Sequence, residues 1–223
     1  MRRAVIIVAG GTGKRMGGEK PKQFLDLLGR PMIFHTIEIF KKYDHQIEVI
    51  VGLQDAYKDY WKDLCTQHSF MIRHRVSPGG KTRFHTVQNS LPMLGENSVV
   101  AVHDAVRPLV SIATIEICFQ TATSMGTAIP CIEIPDSVRR IEGKRHSPVD
   151  RTSLRMIQTP QVFQLKILKE SYRQKYRKEF TDDANVVEQA GYAVNLVEGN
   201  RENIKITTRT DYLMAKKLFT ETA

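Results

Sequence analysis

The chain has 223 residues, 41% of them hydrophobic and 26% charged, and its 33 basic against 24 acidic side chains give a net charge of +9. That length suits one domain, residues 1–223, able to bury roughly 70% of its unfolded surface, and no apolar run approaches the ~20 residues of a membrane helix. Three widely spaced cysteines, Cys65, Cys118 and Cys131, exclude a disulfide framework and a Cys-x-x-Cys metal site, and each is expected as a small core residue.

Arg2 and Arg3 precede only a short apolar run with no cleavage-type site, so no signal peptide is expected and the location expected is cytoplasmic. The run itself, residues 4–8, reads as a buried strand. It empties into Ala9-Gly-Gly-Thr-Gly-Lys-Arg-Met-Gly-Gly-Glu-Lys-Pro-Lys-Gln-Phe24. Glycines let backbone N–H groups approach a polyanion closely, and Lys14, Arg15, Lys20 and Lys22 supply neutralising charge. The loop is not a Walker A motif, because no Gly-x-x-x-x-Gly-Lys-Ser/Thr run passes through it. It is a poor dinucleotide fingerprint too, with Met16 where the third glycine should stand. Pro21 stiffens the chain just before Lys22.

Further strands are expected at residues 47–51, 70–76, 99–103, 128–132, 156–158 and 193–197. Helices are expected at 31–41, 56–67, 83–94, 112–124, 164–177, 184–190 and 211–219. Pro31 suits the first helical position of its segment. Tyr57, Tyr60, Trp61 and Leu64 recur at helical spacing and read as a core stripe. The alternation predicts an α/β fold, a Rossmann-like, mostly parallel sheet with helices on both faces. In such folds ligands bind at the carboxyl ends of the strands, where the glycine loop and His103-Asp104 sit. Residues 133–155 break the rhythm, being polar and charged with Pro135, Gly143 and Pro148. A connection of that length is a functional excursion or a linker.

The basic excess first suggests nucleic acid. It is spread over the chain, however, with local density at residues 139–146 and 166–178, the second reading as a solvated helix face. Aromatic residues are not interleaved with it as in a single-strand binder. Small polyanionic substrates account for the charge equally well.

The segment from Ala9 to Phe24 resembles the activated-nucleotide loop of the sugar-phosphate nucleotidyltransferases, most closely the cytidylyltransferase branch that makes 4-diphosphocytidyl-2-C-methyl-D-erythritol in the non-mevalonate isoprenoid pathway. Gly79-Gly80-Lys-Thr-Arg83, Val102-His-Asp-Ala-Val-Arg-Pro108, Gln158-Thr-Pro-Gln161, Phe180-Thr-Asp-Asp183 and Glu202-Asn-Ile-Lys-Ile-Thr207 follow in the family's order. The resemblance covers nearly the whole chain and implies a Mg²⁺-dependent transfer from CTP to a polyol phosphate. It also implies a β-arm, about residues 133–155, that protrudes, clasps a second subunit and delivers residues to that subunit's site in a homodimer. No nucleic-acid or membrane partner is expected.

The chemistry needs no covalent intermediate and no strong base, because a phosphate monoester is already an anion. The barrier lies in bringing two anions together and in the charge that builds on the α-phosphate. Residue by residue, the resemblance assigns Arg15 and Lys22 to that charge, with Lys14 a neighbour. It assigns the backbone of Ala9, Gly10, Gly11 and Gly13 to the triphosphate, and Gly80 and Thr86 to the base. Gly10 stands where the family often has alanine, and Thr86 where it has serine. Asp104 is implied at the ribose and the acceptor, and Arg107 and Thr159 near the acceptor. Arg151 and Lys205 are implied to position the acceptor phosphate, Arg151 from the partner's arm. Ser137 stands where the arm commonly has threonine. Thr181-Asp182-Asp183 reads as a helix cap with acids on the dipole, with Thr181 close to the acceptor. Arg83 matches a family position beyond the glycine pair, with helix capping or surface charge as the alternative role. The Mg²⁺ is expected to be held chiefly by the CTP phosphates, with no protein ligand assigned. Ribitol 5-phosphate cytidylyltransferases share the loop and two of the blocks and stay an alternative. A basic nucleic-acid-binding module is the alternative of another class. An NAD-dependent oxidoreductase would need a third glycine and an acidic residue closing the second strand, and Val51-Gly52-Leu53 offers none at that end.

Overall fold

The computed structural model of the chain describes residues 1–11 and 21–222. Gly13, Lys14, Arg15 and Lys20 lie outside the described residues.

Strand β1 (Arg2–Val8) turns Val5 and Ile7 to one face of the sheet and Ala4 and Ile6 to the other. Burial on both faces is why the segment is continuously apolar and does not alternate. After the glycine loop, a short turn at Lys22–Phe24 and a two-residue ribbon of β2 (Asp26–Leu27) and β3 (Arg30–Pro31) lead into α1 (Met32–Tyr43). Strands and helices then alternate: β4 (Glu48–Leu53), α2 (Lys58–Gln67), β5 (Arg75–Pro78), α3 (Arg83–Ser90), β6 (Ser98–Asp104), α4 (Ile112–Met125) and β7 (Thr127–Glu133). The polar stretch that follows is a hairpin of β8 (Val138–Glu142) and β9 (Arg145–Val149). The chain continues through β10 (Arg155–Ile157), β11 (Gln161–Gln164), α5 (Leu165–Ser171), α6 (Asp183–Gln189), β12 (Leu196–Glu198) and α7 (Arg209–Thr222).

The main sheet runs β10-β7-β11-β6-β1-β4-β5, with β12 also paired to β7. Strand β1 is parallel to β4 and β6, β5 is parallel to β4, and β12 is parallel to β7. Strand β11 lies antiparallel between β6 and β7, and β10 is antiparallel to β7. Phe34, Phe40, Trp61 and Phe119 from α1, α2 and α4 cover one face. Phe84, Val87, Leu168 and Val187 from α3, α5 and α6 cover the other. Each such aromatic or aliphatic side chain contributes roughly 1.5–3 kcal/mol by leaving water. The sheet thus presents the carboxyl ends of β1, β4, β5 and β6 on one rim, which is where the site forms.

Several boundaries differ from the sequence reading. The strand expected from residue 70 starts at Arg75, because Phe70 stacks on Phe34 at 4.0 Å and His74 is held by Trp61. The helix expected to residue 177 stops at Ser171. Lys166 and Lys169 therefore lie on α5, whereas Arg173, Lys175, Arg177 and Lys178 fall beyond it and form no helix face with them. The chain turns there because the Tyr172 ring is buried and its hydroxyl donates to Asp183 at 2.6 Å.

Helix α3 gives way to a short 3-10 turn at Leu91–Met93, since Pro92 has no N–H to extend the ladder. The segment expected as a helix from residue 56 begins as a 3-10 turn at Asp55–Tyr57. Pro31 is the N-cap of α1 and not its first residue. The last strand is short, Leu196–Glu198, because Asn195 bonds Thr127 through its side chain before the ladder begins. Strand β11 and the β2–β3 ribbon have no counterpart among the expected elements. The aromatic stripe is core as expected, with Trp61 and Leu64 buried and Tyr57 and Tyr60 packed on Phe24. Among the cysteines only Cys118 is fully buried; Cys65 and Cys131 are half-buried.

Candidate active site

The rim of the sheet opens into a cleft of about 560 Å³. Its walls differ in kind. One wall is backbone, contributed by Ala9, Gly10, Gly11 and Gly80, and the other carries Arg83, Asp104 and Lys205, with Lys22 also lining the space.

Close packing dictates the glycines of the first wall. A Cβ on Gly10 would stand 2.6 Å from the Thr86 hydroxyl oxygen, and one on Gly80 would stand 2.3 Å from the His85 Cβ. The Gly80 N–H donates to Thr86 Oγ1 at 3.0 Å, and that hydroxyl donates to the Thr82 carbonyl at 3.2 Å. Thr86 is therefore a buried brace for the Gly80 turn as well as a cleft residue. Ala9 is tied to β4 by its N–H to the Gly52 carbonyl at 2.9 Å. The Gln23 amide donates to the Ala9 and Gly11 carbonyls at 2.7 and 3.2 Å, which fixes Lys22 beside the loop.

Asp104, the last residue of β6, organises the second wall. Lys205 Nζ lies 2.9 Å from its Oδ2, Arg83 Nε 3.3 Å from its Oδ1 and Arg107 Nε 3.4 Å from its Oδ2. Burial by itself would raise the pKa of this carboxyl. Arg83, Lys205 and Arg107 outweigh that and hold it far below the ordinary carboxylate range. Arg83 also reaches Asp183 Oδ2 at 2.7 Å, and Asp183 is fully buried. One anion thus holds three cations in place. Arg83 and Lys205 line the cleft, and Arg107 stands behind them.

Behind Asp104 runs a chain of hydrogen bonds. The Asp104 N–H donates to Thr159 Oγ1 at 3.2 Å, and that hydroxyl stands 3.1 Å from His103 Nδ1. His103 Nε2 faces the Arg107 carbonyl at 3.0 Å, which requires the proton on Nε2 and leaves Nδ1 to accept from Thr159. Burial pushes the His103 pKa down to about 4, so the ring is neutral at neutral pH. Arg107 Nη1 donates to the Asn203 carbonyl at 2.7 Å, and Asn203 donates to the Thr159 carbonyl at 2.8 Å. Thr159 accordingly supports Asp104 from within.

The arm residues stand apart from this cluster. Ser137 is exposed at the foot of the β8–β9 hairpin. Arg151 is exposed and donates to the Pro135 carbonyl, bordering a small hollow with Arg155 and Arg201. Arg151 and Ser137 do not line the cleft of their own chain. Thr181 is exposed next to Asp182, which caps α6 by accepting from the Asn185 N–H at 2.9 Å. Asp182 is thus the cap that the sequence suggests. Asp183 follows in the first turn of α6, with its carboxylate a buried partner of Arg83 and Tyr172.

Two residues matter more than their sequence surroundings suggest. Arg83 is no surface charge, and a signal existed: it opens α3, where a cation opposes the helix dipole unless a specific anion holds it. Gln54, just after β4, donates to the carbonyls of Gly10 and Gly80 at 3.0 and 2.8 Å. Nothing in its local sequence marks it.

A mostly parallel α/β sheet that sets a glycine loop against one carboxylate ringed by cations is the frame of a nucleotide-dependent transferase. Residues 3–221 match the family model of 2-C-methyl-D-erythritol 4-phosphate cytidylyltransferase (IspD). The protein of that name from Bacteroides thetaiotaomicron is 44% identical over 98% of this chain and 100% of its own length. That from Bacillus velezensis is 36% identical over 98% of this chain and 96% of its own. The crystal structure of the Thermus thermophilus enzyme, 29% identical, superposes with a TM-score of 0.79 over 98% of each chain. The Anaerococcus prevotii synthase, 24% identical with a TM-score of 0.82 over 98% of each chain, shares the fold. This chain belongs to the 2-C-methyl-D-erythritol 4-phosphate cytidylyltransferase family.

Proposed function

We infer that the chain transfers the cytidylyl group of CTP to 2-C-methyl-D-erythritol 4-phosphate, giving 4-diphosphocytidyl-2-C-methyl-D-erythritol and pyrophosphate. The observation that carries this reading is the two-walled cleft, with glycine backbone on one side and the cations gathered by Asp104 on the other. An oxygen of the acceptor phosphate attacks the α-phosphorus of CTP, and the bond to the bridging oxygen breaks as pyrophosphate leaves. The attacking group is already anionic, so the protein's task is to hold two anions in line and to offset charge at the α-phosphate. Lys205 would meet the acceptor phosphate, and its partial exposure beside Asp104, 43% for the side chain, supports that role. Lys22 lines the nucleotide side, and Arg15 is assigned beside it by the family pattern alone.

Mg²⁺ belongs to this proposal as a companion of the triphosphate. Among the described residues no group of three or more His, Cys, Asp or Glu could hold a metal. Asp104, the one carboxylate among the described lining residues, is engaged by three cations. That donor set fits an ion carried by CTP better than a resident one, and the ion's chemistry there is to offset phosphate charge.

A homodimer with a shared site is proposed with it. The β8–β9 hairpin pairs with itself and exposes Ile141 along with Arg139, Arg140 and Arg145. Arg151 at its stem lies outside its own cleft, as a residue serving a partner's acceptor phosphate would. The cytoplasm is proposed as the location; three free thiols suit a reducing compartment. No described helix is long and apolar enough to cross a membrane.

Pyrophosphate release from CTP and Mg²⁺ tests the reading, with methylerythritol phosphate and ribitol 5-phosphate as competing acceptors. A clear preference for the first is expected. A preference for the second would keep the mechanism and replace the acceptor.

A further inference from the structure

We propose that Gln54 is a positioning residue for the nucleotide, a side-chain tie that sets the spacing between the glycine loop after β1 and the Gly79-Gly80 turn after β5. The proposal rests on the reading of the cleft as a CTP site and adds a residue to it.

Gln54 follows β4, the strand between β1 and β5, so its side chain springs from between the two loops. Its Nε2 donates to the Gly10 carbonyl at 3.0 Å and to the Gly80 carbonyl at 2.8 Å. Both partners are acceptors, so only the NH₂ end of the amide can face them, and its two hydrogens are both used. The backbone beneath is fixed as well. The Gly79 N–H donates to the Leu53 carbonyl at 2.7 Å, and a Cβ on Gly79 would stand 2.8 Å from the Gln54 nitrogen.

Thr86 closes the ring from the opposite side, accepting from the Gly80 N–H while packing against Gly10. Gly10, Gln54, Gly80 and Thr86 therefore form a closed loop of contacts, and all four line the cleft. One glycine segment is placed to serve the triphosphate and the other the base. A tie between them fixes how far apart those two parts of one ligand are held, which bears on ground-state nucleotide binding more than on the chemical step. The tie is also the weaker half of the ring, because Thr86 is fully buried and Gln54 only half-buried.

The test measures steady-state kinetics and direct CTP binding for the wild type, Gln54→Met and Gln54→Glu. Methionine keeps the length of the side chain and loses both donors. Glutamate keeps the shape and sets an anion against two carbonyls. With two neutral hydrogen bonds lost, Gln54→Met is expected to raise the KM and Kd for CTP about tenfold, with kcat and the acceptor KM within about twofold of wild type. Gln54→Glu is expected to bind CTP more weakly still at pH 8 and to recover part of that loss as the pH falls, because a protonated carboxyl can donate one hydrogen bond. A residue that merely filled space would show no such recovery. Unchanged CTP affinity in both folded variants would overturn the proposal while leaving the functional reading intact. A wild type that neither binds CTP nor releases pyrophosphate from it would overturn both.

Should both variants fail to fold, the wild type itself decides through NMR of its glutamine side chains. Slow exchange of both Gln54 amide protons, with scalar coupling to the Gly10 and Gly80 carbonyls, is expected. Fast exchange with rotational averaging would overturn the tie.

Discussion

The cleft and the arm carry the same residue type in opposite surroundings. Arg83 and Arg107 have side chains only 25% and 12% exposed, and each is paired with Asp104. Arg139, Arg140, Arg145 and Arg151 on and beside the hairpin are exposed, and Arg139 donates to His146 within the same ribbon. The cleft arginines are oriented before any ligand arrives, because a buried guanidinium without its carboxylate costs several kcal/mol. Preorganisation by burial and a carboxylate is thus built into the cleft, whereas the hairpin arginines stand exposed.

The sharpest test of that contrast lies in the cleft. Lys22→Ala is expected to lower kcat by roughly 10²–10³ while changing CTP affinity little, since its assigned work is on charge that develops at the α-phosphate. Single-turnover rates and CTP binding on the same preparation check it, and lost CTP affinity with unchanged turnover would place Lys22 in ground-state binding. Next in size is Arg83→Met, which leaves the buried Asp183 carboxylate without its cation and removes one of the three cations on Asp104. It should cost about 3 kcal/mol of stability in urea unfolding. A null result would mean that the buried cluster does not hold the wall together.

Acid sharpens the comparison further. His103 is neutral in the fold with a pKa of about 4, below the ordinary histidine value. The unfolded chain therefore binds the proton first as pH falls. Stability from this site is complete above about pH 6.5, is lost between there and about pH 4, and amounts to roughly 3 kcal/mol. Asp104, held low in the fold, loses its own contribution only below the unfolded carboxylate range near pH ~4. Urea titrations from pH 8 to pH 4 should show the first slope, and His103→Gln should flatten it.

The smallest effect is expected at the arm. Arg151→Ala should raise the acceptor KM about tenfold, as for loss of one charge-assisted contact, with the melting temperature of the chain unchanged. Mixing Arg15→Ala and Arg151→Ala subunits should restore activity in heterodimers if the arm serves its partner. Absence of restoration in verified heterodimers would end the shared-site proposal.

Some of this was legible without coordinates. The apolar run of β1, the glycine loop that follows it, the alternation of strands and helices and the position of His103-Asp104 at a strand end are all written in neighbouring residues. Side-chain period and turn chemistry are local properties, so they survive being read one segment at a time. Strand β11 escaped because Gln161–Gln164 is short and follows Pro160, and its place between β6 and β7 depends on pairing partners distant in sequence. The pairing of Asp183 escaped for the same reason: from the first turn of its own helix, its carboxylate is claimed by Arg83 across the fold.

By itself, then, the sequence determined the α/β class, the place of the glycine-rich segment after the first strand and the family. Only the tertiary structure decided that Asp104 gathers Arg83, Arg107 and Lys205, and that Gln54 ties two glycine segments together. Ion pairs and side-chain ties between distant segments exist only once the helices and strands have docked, because a few tenths of a nanometre decide whether such a contact forms at all.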